Sequence, residues 1–400
     1  MTYLYLDDES DTSLRSFIRR VAPEGGDLVI GPARPGTFAK QIEAAMKGEF
    51  DGLILDLRLD KIASEAGTKA DYRAPTLAQE IRTRAAEKLH GGDEEDEIEV
   101  GRDDVGEEER GQSEFPIVLW STEPRLRKSY DRDKTSHDLF DLICDKGDLL
   151  STDPAVPEEE KAPMVGLRLQ SLVTGYRKIQ ELRDETDGDE RFYRFLGFSE
   201  PPDHLDERLS EFALSDVPPT ERPAHEYARF IRRQVLESAG PLIDRRTLAA
   251  RLGVDVEASE DFDELVQAFD DAIYRGVFRE GWLRWWAEVT EDLAENLVEE
   301  SLRSLTAPER VERLTKATGL GKLRAAEPIS EGDSSAFWVV CQATDRPLDP
   351  RDGFVLDSGR RYPWQRDKYV SRYAVENKML GRRHLRLTVS ERERASALIP

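Results

Sequence analysis

Four short apolar runs in the first 150 residues each end on a side chain able to do chemistry. Residues 3–6 run into Asp7 and Asp8, and residues 53–55 stop on Asp56. Residues 115–120 end on the hydroxyl of Ser121, and residues 139–144 lead to Lys146. Grouped carboxylates offer oxygen ligands to a hard cation, so Asp7, Asp8 and Asp56 can hold Mg²⁺. Such an ion aligns a phosphoryl donor and neutralises its oxygens while Asp56 attacks as nucleophile. Ser121 can hydrogen-bond one phosphoryl oxygen, and Lys146 can pair with another as a point charge. Each residue alone also has a plainer role. Asp7 and Asp8 suit the N-cap of a following helix. Ser121 suits a similar cap, and Lys146 an exposed strand terminus.

That chemistry requires the four strand ends to share one edge. The runs are short and bounded by charge or turn residues, as in strands buried on both faces. Between them lie helical patterns. Residues 10–22 place Leu14, Phe17, Ile18 and Val21 on one face, and residues 37–46 and 76–89 fit two further helices. Residues 27–30 add a strand. Strands alternating with helices predict a parallel, doubly wound sheet. Its carboxyl edge is where open α/β sheets bind ligands.

With those pieces in place, residues 1–150 resemble a response-regulator receiver domain. The matching motifs are Leu-Asp-Asp-Glu at 6–9, Leu-Ile-Leu-Asp-Leu at 53–57, Pro-Ile-Val-Leu-Trp-Ser at 116–121 and Cys-Asp-Lys at 144–146. The resemblance implies a flavodoxin-like α/β domain with a five-stranded parallel sheet. It also implies Mg²⁺ dependence and phosphotransfer to Asp56 from a histidine kinase or phosphotransfer protein. Three features depart from the family's pattern. Gly147 stands where a proline usually follows the lysine, and Ile143 where many receivers carry a switching aromatic. The connection between the Asp56 and Ser121 strands is also far longer than usual. Its stretch from Asp93 to Glu109 holds eleven acids against one base, Arg102. Such a run repels itself, so an acidic loop insert is expected over about 90–113.

Beyond residue 150 the reading is coarser. Residues 151–190 read as a linker rich in Pro and Glu followed by one long helix over 163–184. Its apolar positions include Val165, Leu169, Leu172, Val173, Tyr176 and Ile179. Residues 191–400 read as a mainly α-helical output or adaptor domain with a small β-containing end. Within it, residues 241–254 resemble the first helix and turn of a helix-turn-helix. The stretch that follows, 255–264, is acidic, which does not suit a recognition helix. Phe278, Trp282, Trp285 and Trp286 have the spacing of a helical face, suited to a core or to a protein partner's groove. Strands are expected over 336–342 and 354–356, and a helix over 368–380. Residues 351–400 hold twelve bases and six acids.

The 400 residues carry a net charge of −24, with 35% charged residues. That balance argues for a soluble protein and makes nucleic acid an unexpected partner. No run approaches a membrane span, and the first residues lack a signal-peptide pattern. Two cysteines, Cys144 and Cys341, show no metal or disulfide spacing. A cytoplasmic setting is therefore expected. The expected partners are a kinase or phosphotransfer protein and an unidentified protein effector, with a homodimer allowed. No enzyme site stands out in residues 191–400. A DNA-binding regulator using 241–254 and the basic tail, and a scaffold that never takes phosphate, are the alternatives.

Overall fold

The computed structural model describes residues 1–7, 12–60, 70–89, 114–133, 135–150, 161–185, 190–206, 208–209, 222–359, 361–383 and 385–398. The acidic insert therefore lies outside the described residues, as does Asp8. The chain forms two compact units. The first comprises Met1–Pro201, Ser210–Arg232 and Gly276–Trp282, and the second Pro202–Leu209, Arg233–Arg275 and Leu283–Pro400. Among the described residues, no helix is long and apolar enough to cross a membrane.

In the first unit the order is β1 (Thr2–Leu6), α1 (Thr12–Val21), β2 (Val29–Ala33), α2 (Phe38–Met46), β3 (Gly52–Asp56), α3 (Ala74–Leu89), β4 (Ile117–Ser121), α4 (Glu123–Arg132), β5 (Leu142–Asp145) and α5 (Lys146–Leu150). Helices α6 (Ala162–Glu185), α7 (Glu190–Phe195) and α8 (Ala224–Phe230) follow. The five strands make one all-parallel sheet in the order β2-β1-β3-β4-β5. This is the flavodoxin-like α/β arrangement that the alternating pattern predicts. The chain leaves β1 for β2 on one side and returns to β3 on the other. The carboxyl ends of β1 and β3 thus flank the point where strand order reverses, the usual ligand crevice of such sheets.

Strict alternation of side chains divides the core in two. On one face Leu6, Leu53, Leu55, Ile117 and Leu119 pack with Ile42 and Ala45 of α2 and Leu77 and Ile81 of α3. On the other, Trp120 meets Tyr5 and Phe17 edge-on at 5.3 and 4.8 Å between centroids. Tyr3 crosses this face and donates from its hydroxyl to the Leu169 carbonyl of α6 at 2.8 Å. Gly52 makes room for it: a Cβ there would lie 2.2 Å from the Tyr3 ring. At the far, amino edge of the sheet, Arg82 Nη2 donates to Asp141 Oδ2 at 2.6 Å. Tyr176 Oη and the Ile117 amide donate to the same carboxylate at 2.7 and 2.8 Å. This buried network ties α3, β4 and α6 together.

The element boundaries differ from expectation in instructive places. β2 runs three residues further than its apolar core, over Val29–Ala33 rather than 27–30, because β1 pairs with it as far as Leu6↔Ala33. Lys146 is the first residue of α5 rather than the last of a strand. Asp145 Oδ1 accepts from the Gly147 amide at 2.7 Å and turns the chain there. Helix α4 was not legible, since Leu126 and Tyr130 are the only large apolar residues in ten positions.

The second unit contains β6 (Leu242–Ile243), α9 (Arg245–Leu252), α10 (Phe262–Gln267), β7 (Trp285–Trp286), α11 (Ala287–Val298) and α12 (Ala307–Thr318). Then come β8 (Val339–Val340), β9 (Pro347–Leu348), β10 (Gly353–Val355), β11 (Tyr369–Ser371), α13 (Arg372–Glu376) and α14 (Val389–Leu398). Asp244 caps α9 by accepting from the Thr247 amide, and Gly253 ends it in the left-handed conformation at φ 75°. Leu248, Leu252, Phe262, Leu265, Trp285 and Leu314 share one core, and Cys341, Phe354, Val370 and Leu387 another. Two expectations fail here. The tryptophan stretch is not a helix: Trp285 and Trp286 pair antiparallel with Ile243 and Leu242. Phe278 and Trp282, which belong to the first unit, and Trp285 and Trp286 of the second are all buried, so they offer no exposed face to a partner. Residues 368–380 likewise open as β11, held to β10, before turning into α13. In both places long-range strand pairing overrides the local helical spacing.

Candidate functional site

Three of the residues singled out from sequence meet at the carboxyl edge of the first unit's sheet. Lys146 Nζ donates to Asp7 Oδ2 at 2.7 Å and to Asp56 Oδ1 at 2.9 Å. The carboxylates come from the ends of β1 and β3, and the ammonium from the residue after β5. Parallel strands put these ends side by side, although 139 and 90 positions of sequence separate Lys146 from the two acids. Asp7 and Asp56 are almost wholly buried, at 3% and 1% exposure, while the Lys146 side chain keeps 18%. Burial by itself would lower the lysine's pKa. The Asp56 and Asp7 charges and hydrogen bonds outweigh that and hold it above the ordinary value. Lys146 is therefore a firmly cationic clamp on two buried carboxylates.

The remaining valences of those carboxylates are also engaged. Tyr5 donates from its hydroxyl to Asp7 Oδ2 at 2.5 Å, and its ring lies 5.6 Å from the Lys146 ammonium. The Arg58 amide donates to Asp56 Oδ2 at 2.9 Å, and Arg125 Nη1 stands 3.9 Å from the same oxygen. Ser121 ends β4 one residue beyond Trp120, the register partner of Asp56. Its hydroxyl is fully buried and makes no hydrogen bond among the described residues. A buried hydroxyl without a partner is costly unless something is to be held there. Beside Asp56 a cavity of about 270 Å³ is lined by Arg58, Arg73, Arg125 and Lys128, among others.

Asp7 and Asp56 supply only carboxylate oxygens, the donor type that a hard divalent cation takes. Among the described residues no group of three or more His, Cys, Asp or Glu is placed to hold a metal. Asp8, the third expected ligand, is outside them. Tyr5, Arg58 and Arg125 went unnoticed in the sequence. Arg58 follows Asp56 by two positions, and Arg125 follows Ser121 by four in the first turn of α4, so the residues just past the chemical strand ends were the place to look. No family model matches this chain, and none of the curated proteins matches it by sequence.

Proposed function

We propose that the first unit is a receiver that accepts a phosphoryl group on Asp56 from a histidine kinase or phosphotransfer protein, and that this controls a protein–protein interaction made by the second. The observation that carries the reading is the convergence of Asp7, Asp56 and Lys146 at 2.7 and 2.9 Å on one sheet edge. An Asp56 carboxylate oxygen forms a bond to phosphorus as the phosphorus–nitrogen bond of the donor breaks, and the imidazole leaves. Asp7 and Asp56 would hold Mg²⁺, which would supply charge neutralisation for the transferring oxygens. The Lys146 ammonium, already aimed at Asp56, is placed to pair with the new phosphoryl oxygens. The free Ser121 hydroxyl is a donor for one of them. Arg125, in ion-pair range of Asp56 Oδ2 at 3.9 Å, can close further on the added charge.

A protein effector suits the chain better than DNA. The net charge of −24 opposes a phosphate backbone. The helix after Gly253, α10, has Asp263 and Glu264 in its first turn and buries Phe262 and Leu265. The test is phosphate uptake from a small phosphodonor or a cognate kinase with Mg²⁺. Wild type should gain acid-stable, hydroxylamine-labile phosphate, and Asp56→Asn none. A wild-type protein that binds Mg²⁺ yet takes up no phosphate from either source refutes the reading.

A further inference from the structure

The second unit holds a cavity of about 140 Å³ at the start of α9, walled by β8 and by residues 366–369. That is well above the roughly 30 Å³ share of one water. Arg251, Arg284, Arg366 and Lys368 all line it. Arg251 is 4% exposed; its Nη1 donates to Glu291 Oε1 at 2.8 Å, while its Nε is buried with no partner. The Arg251, Arg303 and Arg310 guanidinium carbons lie 5.0, 4.0 and 5.7 Å from the Trp338 ring centre. One indole face attracts a cation, but three cations around it repel each other. Burial draws the pKa of Arg251 down to about 10 against the pull of Glu291, with Arg366 and Arg303 pushing the same way. The side chains of Arg366 and Lys368 make no hydrogen bond or ion pair among the described residues.

Carboxylates line the cavity too, but they are occupied. Asp244 caps α9, Asp367 pairs with Arg361, and Glu237 is not free. The donors that line it are the guanidinium of Arg366, the ammonium of Lys368, on which Glu237 and Asp244 also act, and the guanidinium of Arg251, whose Nε is itself shut off from solvent. We propose that this cavity is a binding site for a phosphate-bearing small molecule. Three separate cationic groups suit a tetrahedral dianion with several oxygens better than a flat carboxylate, which offers two.

The experiment uses the full chain and inorganic phosphate, with chloride holding the ionic strength constant. Phosphate should raise the melting temperature and broaden its own phosphorus resonance, and chloride should do neither. Arg366→Ser and Lys368→Met, which remove partly exposed side chains, should each raise the phosphate concentration at half-effect about tenfold, the loss of one charge-assisted hydrogen bond. Asp56→Asn should leave the response intact, because it alters only the receiver edge. The absence of a phosphate-specific effect overturns the proposal. So does a response that both cavity variants keep, or one that only Asp56→Asn loses.

Discussion

At the scale of single residues, Lys146 decides how two acids can be buried together. With its ammonium replaced by an apolar chain, Asp7 and Asp56 would lose the cation that bridges them at 2.7 and 2.9 Å. Lys146→Met should therefore cost about 3 kcal/mol, the usual penalty for removing one member of a buried ion pair. Adding Asp56→Asn to that variant should recover part of the loss, because one of the stranded charges is gone. Urea unfolding measures both, and a single variant as stable as wild type would mean the clamp is not needed for folding. The folded pKa of Lys146 lies above its unfolded value of about 10.4, so its contribution is complete at neutral pH. It is lost only as pH climbs through that raised value. His225 has the opposite sign. Tight packing, with Arg82 and Arg229 nearby, holds its imidazole well below the ordinary value. The unfolded chain takes up that proton near pH 6.5 and the folded chain only at lower pH. Stability should thus be full above about pH 6.5 and decline below it, and His225→Gln should flatten the decline between about pH 7 and 5.5. An unchanged slope in the variant would show that other groups set it.

Helix α6 shows what the sequence can and cannot reveal about an element. Its apolar spacing announced a long helix, and Ala162–Glu185 is one. What the spacing could not show is why Gly166 sits in its first turns. A Cβ at that position would meet the Val21 carbonyl oxygen at 2.1 Å, so the glycine sets how closely α6 approaches the end of α1. Alanine gains up to about 1 kcal/mol of helix propensity, but here it must push a backbone carbonyl aside, and overpacking costs about 1–3 kcal/mol. Gly166→Ala should come out destabilising by about 1–2 kcal/mol in a melting series. Gly321→Ala, which meets nothing within 4 Å, should be close to neutral. Equal effects would mean that α1 and α6 can slide apart at no cost. The same contrast separates the elements that were legible from those that were not. β1, β3 and β4 are buried on both faces, and their apolar runs mark them plainly. Asp7, Asp56, Ser121 and Lys146 were legible for the same reason, as polar residues at the ends of such runs. Trp285–Trp286 and Tyr369–Ser371 are strands only because Leu242–Ile243 and Gly353–Val355 lie alongside. No window of local sequence contains that partner. The basic wall beside Asp56 escaped notice for a related reason, since Arg58, Arg73, Arg125 and Lys128 come together only through the fold.

For the whole molecule the dominant quantity is charge. A net −24 repels itself in the compact state, and the repulsion weakens as salt shortens the screening length from about 30 Å at 0.01 M to about 8 Å at 0.15 M. Residues 91–112 hold eleven acids and two bases, so deleting them takes the chain from −24 to −15. The ends to be rejoined follow Leu89 of α3 and precede Glu114, whose carboxylate pairs with Arg183 of α6 at 2.8 Å and should be kept. With a short Gly/Ser link in place, the deletion should raise the melting temperature at about 10 mM salt, where repulsion acts over the whole molecule. At about 150 mM it should change the melting temperature little. The slope of melting temperature against salt should accordingly be shallower in the deletion than in the full chain. If the deletion instead loses several degrees, and added salt lowers the full chain by a similar amount, the acidic stretch contributes attraction. Its counterpart would then be a basic surface, for which the twelve bases of residues 351–400 are the first candidates. Substituting Arg392 and Arg394, on the exposed side of α14, would be the next step in locating it.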